Sequence, residues 1–83
     1  MTDATSETQT LDQLTPGQSA RVAKINGKGA IRRRLMDMGI VKGTEIQVIK
    51  ASPLGDPVEY RLRGYSLSLR REEARLIDVS HAI

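Results

Sequence analysis

The chain has 83 residues, no cysteine, one histidine and a formal charge of +3. That length encloses one small hydrophobic core, and the missing thiols exclude disulfides and thiolate metal centres, as befits a reducing, cytoplasmic setting. No apolar run approaches the roughly 18 residues needed to cross a bilayer, and the basic balance favours acidic partners without naming one.

Residues 1–9 are polar, without periodicity, and read as a loose tail; no basic residue precedes Arg21, so a signal-peptide pattern is missing. A domain is expected over residues 10–80. It begins with Thr10-Leu11-Asp12-Gln13, a capping box that starts a single helical turn anchored by Leu11 and Leu14. Pro16-Gly17 signals a type II turn. Ala20 to Ile25 follows as a strand of imperfect alternation, and Asn26-Gly27-Lys28-Gly29 as a flexible connection.

At about 100° per residue, Ile31, Leu35 and Met38 fall on one stripe of a helix from Ala30 to Met38. Gly39 ends it in a Schellman motif, which brings Ile40 against Leu35. Gly43, as third residue of a type II turn, reverses the chain into a strand in which Ile46 and Val48 alternate with polar residues. The loop Ala51 to Pro57 projects from the body. Beyond it Val58, Tyr60 and Leu62 alternate cleanly, Gly64-Tyr65 turns the chain, and Leu67 and Leu69 mark a fourth strand. Glu72-Glu73-Ala74 is one helical turn, Leu76 to Val79 closes the sheet, and residues 81–83 fray. About five short strands with one inserted helix and a short N-terminal helical turn predict a mainly β fold, a small barrel whose closure removes exposed edges.

Catalysis finds no residues to assign. His81 sits three residues from the C-terminus, and Glu72 and Glu73 point about 100° apart, as on a solvated face rather than an acid/base couple. No metal-ligating group is visible, and no cofactor is expected. The Asn26 to Gly29 loop lacks the phosphate-binding frame of a P-loop. Arg32, Arg33 and Arg34 spread around the helix, with Arg33 one turn from Asp37. They form either a solvated face or a basic patch for an acidic surface. Met36 lies outside the stripe beside them, as an adaptable contact would. Nucleic-acid binding and proline-rich peptide binding both want aromatic rings; Trp and Phe are absent, and Tyr60 falls in the buried alternation.

Leu11-x-x-Leu14-x-x-Gly17, then Arg33-Arg34-Leu35-x-x-Met38-Gly39-Ile40-x-x-Gly43-Thr44-x-Ile46-x-Val48, then Gly55-Asp56-Pro57, Gly64 and Leu67-x-Leu69-Arg70 resemble the FeoA family, the small cytoplasmic proteins of bacterial ferrous iron uptake. Lys42 departs from the pattern, standing where many members carry proline. The resemblance implies an SH3-like β-barrel with an inserted helix and association with the membrane transporter FeoB, whose cytoplasmic portion carries a GTPase domain. The expectation is a non-enzymatic accessory protein that docks through exposed residues of the helix and long loop: Arg32, Arg33, Met36 and Leu54. In a sharper version one arginine reaches the partner's nucleotide site. The alternative is a small basic nucleic-acid-binding or regulatory module sharing the barrel.

Overall fold

The computed structural model describes residues 9–81, so the tail expected over residues 1–9 lies, apart from Gln9, outside the described residues. Its elements are β1 (Gln9–Thr10), a 3-10 turn (Leu11–Gln13), β2 (Ser19–Ile25), α1 (Gly29–Asp37), β3 (Glu45–Ala51), β4 (Val58–Leu62), β5 (Tyr65–Leu69), α2 (Arg71–Ala74) and β6 (Ile77–His81). The strands form one antiparallel sheet in the order β1-β6-β2-β3-β4-β5, curled around a single core as a small barrel. The sixth strand, beyond the five expected, is the short β1, where Gln9 and Thr10 pair with Val79 and Asp78. At the other end β6 continues through Ser80 and His81, because the long β2 offers Arg21 and Ala20 as partners. Pairing therefore extends one residue beyond each end of the expected domain.

A bulge explains the imperfect alternation of β2, and β3 carries a second one. In β2 the register shifts between Val22 and Lys24, which leaves Ala23 as an extra residue opposite β6. In β3 it shifts between Val48 and Lys50, with Ile49 as the extra residue. Before each bulge the inward positions are clean: Ala20 and Val22 in β2, Ile46 and Val48 in β3, all at most 2% exposed. The β4–β5 turn differs from expectation by one position. Leu62 pairs with Tyr65, so the two-residue loop is Arg63-Gly64, both at positive φ, 50° and 85°. That is the hairpin turn whose twist matches the sheet, and Tyr65 opens β5 instead of closing the turn.

The glycine-bracketed segment behaves as its sequence predicts. The Gly39 N–H donates to the Met36 carbonyl at 3.0 Å and the Ile40 N–H to the Leu35 carbonyl at 3.1 Å, the two bonds of a Schellman ending. Leu35 and Ile40 are both fully buried. The Thr44 N–H donates to the Val41 carbonyl at 3.0 Å, closing a turn with Gly43 third at φ 91°. Buried Thr44 donates its hydroxyl to the Gly39 carbonyl and accepts from Arg63 Nη2, each at 3.3 Å, so its polar atom is satisfied.

Tyr60 is the largest fully buried side chain, 1% exposed. Burial pushes its phenol up to about 12; Asp12 and Asp56 act in the same direction, while the Arg71 cation opposes them. A raised acid pKa stabilises the fold below the ordinary value of about 10, and that stabilisation is lost as pH rises through about 12. The phenolate absorbance of Tyr60, taken as the difference between wild type and Tyr60→Phe, is expected to appear only near the alkaline end of a spectrophotometric titration. Tyr60→Phe should also flatten the fall of stability in that range. Ionisation of Tyr60 at the ordinary tyrosine value in the folded protein would contradict this placement.

Candidate protein-docking face

Helix α1 forms because its apolar residues share one side. Leu35 is fully buried, and Ile31 and Met38 pack half-buried against the core. The three arginines spread around the rest of the helix, and the fold treats them differently. The Arg34 guanidinium is paired with Glu73 Oε2, while Glu73 Oε1 accepts the Arg70 N–H at 2.9 Å and caps α2. Glu73 is therefore no solvated carboxylate: its side chain is 12% exposed and joins α1 to α2. Arg32 and Arg33 are exposed and make no ion pair among the described residues, and the expected link from Arg33 to Asp37 is not closed. Met36 is 39% exposed beside them.

The structure thus places Arg32, Arg33 and Met36 on one outward face. Two shallow depressions flank it. One, between Arg32 and Arg33, includes Met36 and Asp37. The other runs from α1 to β2 and the segment after Gly39, and adds Ala23, Lys24, Ile25, Val41 and Lys42 to Arg32 and Met36. Neither contains Leu54.

Leu54 stands alone at the tip of the β3–β4 loop, 95% exposed. The loop beneath it is well held. Ser52 N–H bonds the Pro57 carbonyl at 3.0 Å and Gly55 N–H the Ser52 carbonyl at 2.7 Å. Arg71 Nε reaches the Gly55 carbonyl at 2.6 Å and its N–H reaches Asp56 Oδ1 at 3.0 Å. An apolar side chain on so fixed a loop is presented without the ordering cost of a free tip. It stands on a loop anchored on α2, apart from the α1 face.

Sequence reasoning missed Lys24, Val41 and Lys42. Lys24 and Val41 sit where period counting fails, beside a bulge and inside a turn region, and Lys42 stood out only as a departure from a motif. Among the described residues no three His, Cys, Asp or Glu side chains converge as a metal site would require, and no helix is long and apolar enough to cross a membrane. The surface offers charge and apolar contact, the means of docking.

The FeoA domain profile matches residues 9–81, nearly the whole chain. The chain belongs to the FeoA family. It is 44% identical over 69 residues to the Fe(2+) transport protein A/Fe(2+) transporter FeoB fusion protein of Porphyromonas gingivalis, covering 83% of this chain and 8% of that one. The chain therefore spans less than a tenth of that relative's length. Among solved structures, the FeoA-like protein of Clostridium acetobutylicum superposes with a TM-score of 0.86 at 42% identity, over 94% of this chain and 91% of its own. FeoA of Stenotrophomonas maltophilia, solved with zinc and described as an SH3 domain protein, gives 0.77 at 32% identity, over 87% and 89%. The SH3-like FeoA fold expected from the motifs is the fold observed, and the family is one of ferrous iron transport accessory domains.

Proposed function

We propose that this FeoA-family chain is a non-enzymatic accessory of ferrous iron uptake that binds the cytoplasmic part of a FeoB-type transporter and alters its assembly or GTP-dependent activity. The supporting observation is the fusion relative, in which a domain 44% identical to this one is covalently joined to a FeoB transporter. A covalent link holds two modules at high effective concentration, the arrangement that serves a weak contact between them. The contact itself has to be made through the surface of the domain. The α1 face with Arg32, Arg33 and Met36 supplies it, and Leu54 gives a second contact. Such a protein works on the cytoplasmic side, recruited to the membrane by its partner.

The test is co-purification of the full chain with the transporter's cytoplasmic part, together with the partner's rate of GTP hydrolysis. Wild type is expected to be retained and to change the rate. Arg32→Ala and Arg33→Ala should each weaken retention several-fold, as truncated interface arginines do. If one arginine enters the nucleotide site, its variant alone loses the rate effect while still binding. Absence of both retention and any change in turnover would overturn the proposal.

A further inference from the structure

The two depressions beside α1 differ in sign balance. The one around Arg33 contains Asp37, which offsets part of its charge. The other has no carboxylate in its lining. Its floor is Ala23, Ile25, Met36 and Val41, and its rim is Lys24, Arg32 and Lys42. All three rim cations are exposed and without an ion pair among the described residues. In the sheet Lys24 has Asp78 as its register partner on β6, which leaves Arg32 and Lys42 as the other two cations of the groove.

Two features of the backbone shape this groove. The β2 bulge at Ala23 breaks the pairing with β6 where the groove begins, and bulges recur where a strand must re-aim its side chains. On the far side, the turn closed from Thr44 to Val41 holds Val41 half-buried and Lys42 outward. Met36 stands between, its flexible thioether suited to adapt to an apolar guest.

We infer that this groove binds an acidic segment of a partner protein, with one apolar side chain seated on Met36 and Val41 and carboxylates against Arg32 and Lys42. The inference rests on the proposed docking to a transporter and specifies its chemistry. The charge complementarity excludes a basic guest, and the four apolar lining residues, with no aromatic ring among them, favour a side chain over a nucleic-acid base.

The experiment uses the full chain, 15N-labelled, with 13C at the methionine methyls. Three probes are titrated: a short peptide of alternating Glu and Leu, the same peptide with Gln for Glu, and an oligothymidylate. The acidic peptide is expected to shift the Met36 methyl and the amides of Lys24, Val41 and Lys42, with affinity falling as salt rises; the Gln peptide should bind at least about tenfold more weakly. Lys42→Glu and Met36→Gln are exposed changes that leave the fold intact, and each should weaken the acidic peptide about tenfold or more.

The same variants are then tested against the transporter's cytoplasmic part. If that part binds wild type and both variants equally, the groove inference falls and the proposed function stands. If the acidic peptide binds in the groove and the transporter part binds nowhere, the groove stands and the proposed function falls. Shifts at these residues with oligothymidylate but not with the acidic peptide would overturn the inference in favour of phosphate binding. Concentration-dependent self-association lost in Lys42→Glu would overturn it in favour of a second copy.

Discussion

Leu35→Ala is expected to destabilise the protein by about 2–5 kcal/mol, the range for a leucine truncated in a packed core. Leu35 has no exposed surface and is the only buried residue of α1. Ile31 and Met38 are half-buried at the margin of the core, so neither can move in to fill the cavity without uncovering its own surface. Leu35 also backs Ile40 beyond the Schellman bond, so the cavity would lie under the point where the chain leaves the helix. A domain this size has a total stability on the order of 4–12 kcal/mol, and the loss is a large part of it. Each kcal/mol lowers Tm by about 4–8 °C at this length. Met36→Ala, one residue along and on the outward face, supplies the contrast: it is expected to stay within about 1 kcal/mol of wild type. Calorimetry on the two variants checks the assignment. Equal Tm values would mean that α1 does not pack through Leu35.

The contrast between neighbouring residues also shows what the sequence could carry. Where one physical rule governs a stretch, the reading succeeded. The stripe Ile31, Leu35, Met38 is set by helical period alone, and the Val58, Tyr60, Leu62 alternation by strand period alone; the strand face is buried, and the stripe packs on the core with Leu35 fully buried and its flanks half-buried. The Gly39 and Gly43 turns follow from the one residue type that takes positive φ without a Cβ clash. The reading faltered where two rules compete. Ala23 and Ile49 sit at bulges, and a bulge leaves no local mark in composition; it is fixed by the pairing of strands distant in sequence. The Arg63-Gly64 turn was displaced by one residue because a non-glycine at positive φ is rarely chosen, yet the register of Leu62 with Tyr65 imposes it. Glu73 shows the same limit: adjacent glutamates look like a wet surface until the fold brings Arg34 across from another element. The residues proposed for docking divide likewise: helical geometry alone puts Arg32 beside Met36, whereas Lys24 and Lys42 meet them only through the tertiary fold.

The second large effect concerns Gly39, where the conformational and packing requirements coincide. Its φ of 97° lies in the left-handed region, and a Cβ built there would stand 3.1 Å from Tyr65 Oη. Tyr65 donates its hydroxyl to the Met38 carbonyl, one of the groups left unbonded at the end of α1. Gly39→Ala therefore adds left-handed strain of about 1–2 kcal/mol and pushes Tyr65 from its acceptor, at about 1 kcal/mol for the bond. Gly43→Ala separates the two contributions. At φ 91° it carries the same strain, but nothing lies within 4 Å of its Cβ position, so its cost should be the strain alone. The gap between the two variants should then close in a Tyr65→Phe background, where the phenylalanine ring has no hydroxyl to displace. Urea unfolding of the four chains measures the cycle. Equal costs for Gly39→Ala and Gly43→Ala with Tyr65 intact would show that the hydroxyl does not tie the helix end to β5. A gap that persists in the Tyr65→Phe background would show that the hydroxyl is not its source, since Leu62 and Arg63, at 3.6 and 3.7 Å from the same point, are in ordinary contact.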